Sequence, residues 1–128
     1  MRLLLYRGWR DTVGLDIESR VRAEFPFLVV EHYAAIASLV FRLRQVGTSG
    51  TLGALLVPHT AADLQDLATH AALFNDLKVL LVLPDHDAAT VADGHRLKPS
   101  LMVFSDGDSS PVCAVIEKLF ERRLSDVA

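Results

Sequence analysis

Three histidines, His32, His59 and His86, each stand just past a short apolar run, and Asp85 and Asp87 flank the last of them. Imidazole and carboxylate together can ligate zinc, and an imidazole alone can shuttle a proton or carry a phosphoryl group. No H-x-x-x-H or C-x-x-C spacing accompanies them, and a structural zinc site normally takes four ligands. Loop-surface histidines are therefore the favoured reading, ahead of a small-molecule or metal site and ahead of a phosphohistidine at His59. No metal is assigned. S-D-G-D-S-S, residues 105–110, brings Asp106 and Asp108 close together, as in a cation site or the D-x-D of phosphatases. Asp, Gly and Ser are also standard turn and capping residues, and the turn reading is favoured. G-T-S-G-T-L-G, residues 47–53, has the look of a phosphate loop, yet no helix follows it to present a positive end. Arg7, Gly8, Trp9 and Arg10 place cations and an indole in one loop, where Trp9 and Arg10 are candidates for a partner interface. Cys113 lies one residue off an apolar helical stripe and reads as an inert thiol. His70 and His95 fall on helix-surface or loop positions and support no chemistry of their own.

The elements that must position these groups are legible. The apolar runs are RLLLYR (2–7), FLVVE (27–31), LGALLV (52–57), KVLLVL (78–83) and LMVFS (101–105). Short runs with little alternation suit strands buried on both faces, as in parallel sheets. Leu56, Leu80 and Leu81 are expected to be fully buried. Between the runs, Ile17, Val21 and Phe25 form the stripe of a helix ending near Glu24, and Ile36, Leu39, Val40 and Leu43 that of a helix over about 34–46. A third helix starts near Thr60, where Thr60-x-x-Asp63 resembles a capping box, and ends at Asn75–Asp76. The fourth is weak: after Asp87 only AATVA reads as helix before Gly94 interrupts it. The fifth takes Ser110 as N-cap and Pro111 as first turn, with Val112, Val115, Ile116, Leu119 and Phe120 inward. Arg122 to Leu124 ends it.

Five strand–helix units imply right-handed crossovers and a three-layer doubly wound α/β domain, five parallel strands in order 2-1-3-4-5, over residues 1–128. Any site then lies beyond the carboxyl ends of the strands. Arg7, His59, Asp85, His86 and Asp106 are the candidates there for lining a crevice or holding a ligand.

The chain has 128 residues and a net charge of −3, so nothing marks it for nucleic acid or an anionic membrane. Its longest apolar run, Val79–Leu83, is far too short to span a bilayer, and the N-terminal residues do not read as a secretory signal. One cysteine suits a reducing compartment, so a cytoplasmic location is expected. No cofactor is implied.

In length, rhythm and strong closing helix the chain resembles the receiver domains of bacterial response regulators, of two-component systems. Receivers carry an acidic pair ending strand 1, a phosphoacceptor Asp ending strand 3, a hydroxyl ending strand 4 and a Lys ending strand 5. Here those places fall on Arg7 and Gly8, on Val57 or Pro58, on Leu83 or Pro84, and on Ser105 or Asp106. Phosphorylating an Asp requires Mg²⁺ held by hard carboxylates, and neither ligands nor nucleophile stand at those places. The resemblance thus implies a degenerate, pseudo-receiver that is no enzyme and signals by protein–protein contact. It also implies a homodimer through the fourth and fifth helices and the fifth strand. The partner itself is not legible. A similar rhythm occurs in flavodoxin-like proteins, phosphotransferase-system B-type domains and cobalamin-binding domains, so a small ligand-binding domain or enzyme using the crevice is the alternative. Within the receiver frame, the Arg7 guanidinium is expected to stand where a receiver holds its metal and to lean toward Asp85 or the His59 loop.

Overall fold

The computed structural model describes residues 1–8, 12–47 and 49–127, leaving aside the side chains of 46 and 124–127. The chain runs β1 (Arg2–Arg7), α1 (Thr12–Glu24), β2 (Val29–Tyr33), α2 (Ile36–Val46), β3 (Thr51–Val57), α3 (Ala61–Thr69), β4 (Val79–Leu83), α4 (Ala88–Arg96), β5 (Leu101–Phe104) and α5 (Ser110–Val127), with a short 3-10 turn at Ala71–Phe74. All four strand pairings are parallel and the order is β2-β1-β3-β4-β5. The doubly wound sheet expected from the apolar runs is the one observed.

Alternation along each strand divides the interior in two. Leu3 and Leu5 of β1 join Ile17 and Val21 of α1 and Val112 and Ile116 of α5. Leu4 and Tyr6, one residue out of phase, join Leu39 of α2, Leu64 and Leu67 of α3, and Leu97 after α4. The inner strands β1, β3 and β4 are buried on both faces, which is why their sequences are unbroken apolar runs. Leu56, Leu80 and Leu81 are at most 1% exposed. No helix among the described residues is long and apolar enough to cross a membrane.

Several boundaries differ from the sequence reading. α3 ends at Thr69 and not at Asn75–Asp76, because the His70 N–H bonds back to the Leu67 carbonyl and the chain goes on as the separate 3-10 turn. β2 begins at Val29, two residues late, because Leu28 turns back to donate its N–H to the Phe25 carbonyl. The strand then continues through His32 and Tyr33, where an edge position tolerates polar side chains. α4 runs straight through Gly94. A Cβ there would meet Leu83 Cδ2 at 3.0 Å and Leu81 Cδ2 and Met102 Sδ at 3.1 Å, so the glycine serves close helix–sheet packing and not interruption. α5 is capped from further back: Asp108 Oδ1 accepts from the Ser110 N–H at 2.9 Å and from its hydroxyl at 2.8 Å. Ser110 is thus the first residue of the helix rather than its cap, and the helix continues past Leu124 to Val127.

Candidate functional site

The carboxyl ends of the strands open into a crevice of about 210 Å³ lined by Thr12, Val13, Val57, Pro58, His59, Pro84 and Ser105. None of these carries a carboxylate; Asp16 lines an adjoining cavity of about 160 Å³ against β5.

Arg7 does not enter this crevice. As the last residue of β1 it shares the parity of Leu3 and Leu5, so its side chain is directed to the α1 side of the sheet. There its Nε donates to Glu18 Oε1 at 2.6 Å, with both side chains about one-tenth exposed or less. Its Nη1 reaches the Gly8 carbonyl. Arg22, one turn further along α1, donates from Nε to Glu18 Oε2 at 2.8 Å, so both carboxylate oxygens are engaged. Burial pushes the Glu18 carboxyl up, but hydrogen bonds and charges from Arg7 and Arg22 outweigh it and hold the group below the ordinary value. The expected leaning of Arg7 toward Asp85 or His59 is therefore corrected: a buried carboxylate on the same side of the sheet wins over one two strand spacings, about 10 Å, away. Sequence offers a faint signal for this, a Glu beside the Ile17–Val21 stripe with an Arg four residues on.

The other candidates divide between loops. His32 Nε2 donates to the Arg7 carbonyl at 3.0 Å, tying the edge strand to the end of β1. Thr60 caps α3 by accepting from the Asp63 N–H, and Asp63 Oδ2 in return accepts from the His59 N–H at 3.3 Å. That exchange resembles a capping box one residue out of step, and it leaves the exposed His59 side chain at the crevice wall. Asp85 is used locally: hydrogen bonds from the Thr90 side chain and the Asp87 N–H lower its pKa.

His86 and Asp106 do meet. The imidazole Nε2 lies 2.9 Å from both Asp106 oxygens, and its ring stacks on Phe104 with centroids 3.8 Å apart and planes at 18°. Beside it, the Ser105 hydroxyl donates to the Pro84 carbonyl at 3.2 Å. These contacts clasp the β4–α4 loop to the β5–α5 loop at the crevice mouth. The pairing of two exposed loop residues twenty positions apart has no sequence signature. The S-D-G-D-S-S segment thus spends Asp108 on capping and Asp106 on the clasp.

No three His, Cys, Asp or Glu side chains among the described residues gather as a metal site. Cys113 is 5% exposed, and burial together with the nearby Glu24 pushes its thiol up to about 11, so it is no nucleophile at neutral pH. Trp9 and Arg10, the interface candidates, lie outside the described residues.

Chemically, the crevice wall offers the exposed His59 imidazole, hydroxyls and apolar side chains, while Arg7 at the end of β1 is already neutralised by Glu18. No family model and no curated protein matches the chain. A solved structure described as the crystal structure of a response regulator receiver protein from Pseudoalteromonas atlantica aligns over 96% of this chain and 99% of that one, at TM-score 0.69 and 12% identity. With the strand order above, that likeness gives this chain a receiver-like fold.

Proposed function

We propose that this chain is a phosphorylation-independent, receiver-like signalling module of bacterial signal transduction that acts by contact with a protein partner and has no catalytic activity of its own. The observation that carries the reading is the Arg7–Glu18 pair at the end of β1. Where a phosphorylated receiver needs carboxylates around Mg²⁺, this strand ends in a cation already closed onto a buried carboxylate. β3 ends in Val57, with Pro58 next, and neither is a nucleophile. The test is incubation with acetyl phosphate and Mg²⁺ followed by intact-mass measurement. The expected mass is unchanged; addition of one phosphoryl group would overturn the proposal.

The same reading includes self-association through α4, β5 and α5. β5 is an edge strand whose four apolar residues are all partly exposed, and α4 beside it is continuous. Sedimentation at high micromolar concentration should show a dimer, and monomer alone would remove this part. A second reading, a ligand site in the crevice, draws on the His59 side chain at its wall. A thermal-shift screen over divalent metals, nucleotides and phosphorylated metabolites, compared with His59→Gln, decides it.

A further inference from the structure

An open, mainly apolar groove of about 480 Å³ lies between the end of β2 and α2, lined by Tyr33, Ala37, Ser38, Phe41, Arg42 and Gln45. It is larger than either cavity at the carboxyl ends of the strands. Ala37 and Ser38 come one turn before Phe41 on α2, and their small side chains leave the hollow. Phe41 stands in its wall at 66% exposure, the highest of the large apolar side chains among the described residues. Phe27, next in exposure, leans on Phe25 and Phe120, with ring centroids 6.4 and 4.8 Å away. A lone exposed apolar side chain is ordinary, but one that walls an apolar groove marks a contact surface.

The charges around the groove select what covers it. All ionisable residues of β2 and α2 are described. α2 carries Arg42 and Arg44 and no carboxylate. Arg42 Nε donates to Glu31 Oε2 at 3.1 Å, and Arg2 Nε lies 3.6 Å from Glu31 Oε1. Glu31, the one carboxylate of β2 and α2, is thus shared by two cations. The exposed Arg44, one turn past Phe41, has no ion pair among the described residues. Its place in the last turn suits the helix dipole, which accounts for the residue type but leaves the face cationic in a chain of net charge −3. A second copy would set that charge against itself. Addition of a further strand is opposed as well, because Arg22 Nη2 already donates to the Val30 carbonyl of this edge strand at 3.3 Å.

We propose that this groove receives an amphipathic helix of a partner protein, apolar where it meets Phe41 and Tyr33 and acidic on the flanks that meet Arg44 and Arg2. The proposal rests on the reading of the chain as a module that acts by protein contact, and adds to it the surface and the partner's chemistry. Apolar anchors four residues apart on such a helix fill the hollow over Ala37 and Ser38, and its carboxylates supply the charge that Glu31 alone does not. The groove flanks β2, at the edge of the sheet opposite β5, so self-association through α4, β5 and α5 leaves it open.

The test is titration of the full, isotope-labelled chain with a synthetic alanine-based helical peptide, followed by chemical shifts. The peptide carries Leu at two positions four apart, with Glu on either side. Saturable binding is expected, with shifts concentrated on β2 and α2. A control peptide with Lys for every Glu should bind about tenfold more weakly, and so should one with Pro at its centre, which cannot hold the helix. Phe41→Ala should weaken binding about tenfold and Arg44→Gln severalfold, both at unchanged thermal midpoint because both side chains are exposed. Leu15→Ala, which removes an exposed apolar side chain from α1, should leave affinity unchanged. No saturable binding at millimolar peptide, equal binding of either control peptide, or undiminished binding by Phe41→Ala would overturn the proposal. So would a dimer in sedimentation that Phe41→Ala dissolves, since a second copy would then fill the groove. A phosphoryl group gained from acetyl phosphate, with peptide binding kept, refutes the phosphorylation-independent reading alone. An unchanged mass without peptide binding refutes the groove alone.

Discussion

Arg7 and Glu18 each leave water only because the other is present, so removing one strands a charge in the interior. Arg7→Gln or Glu18→Gln should therefore cost about 3–5 kcal/mol. The double variant should cost clearly less than the sum, a coupling that a double-mutant cycle by chemical denaturation measures. Arg22, with its side chain about half exposed, should contribute no more than about 1 kcal/mol. The Glu18 pKa lies lower in the folded protein than in the unfolded chain, so the unfolded state binds the proton more readily. The pair's contribution is complete above the ordinary glutamate value of 4.5 and is lost as pH falls through the lower native value. Denaturation at pH 6, 4 and 3 should show stability falling, with a shallower fall in Glu18→Gln. Asp85 and Asp108, also lowered, keep some slope in that variant. At this scale the sequence was half legible. The cation ending strand 1 was plain, but its partner depends on strand parity, which decides the layer a side chain enters.

Elements were more legible than their ends. The inner strands stood out because burial on both faces leaves no room for polar alternation, whereas β2 at the edge hid its last residues behind His32 and Tyr33. α3 was read too long, through the 3-10 turn that follows it, and α4 too short. Glycine lowers helix propensity, yet here the missing Cβ is what brings the helix onto Leu81, Leu83 and Met102. Gly94→Ala thus sets a propensity gain of up to about 1 kcal/mol against overpacking of about 1–3 kcal/mol. With three side chains needing to give at once, overpacking should win. A lower denaturation midpoint at unchanged slope is expected; a rise would show that those side chains relax freely.

For the molecule as a whole, one sheet serves two cores, and β4 carries adjacent residues into each: Leu80 toward α1 and α5, Leu81 toward α2, α3 and α4. Leu80→Ala and Leu81→Ala should each cost about 2–5 kcal/mol. Because the shared sheet couples the layers, both variants should still unfold in a single transition, coincident by far- and near-ultraviolet circular dichroism. Separate transitions would mean that the two layers unfold independently. Topology was legible at this scale because crossover handedness and strand burial leave few arrangements open. Function was not, since the same architecture hosts many chemistries and the residues that would choose among them meet only in three dimensions.

The stacking of His86 on Phe104 has a spectroscopic corollary. An imidazole lying nearly flat over a phenyl face sits in its ring current, so the carbon-bound protons of His86 should resonate upfield of their position in the unfolded chain. With its nitrogen tied to Asp106, that ring spans the two loops at the crevice mouth. Any partner or ligand that parts the loops should move this one resonance, which gives the protein an intrinsic reporter of occupancy that needs no label.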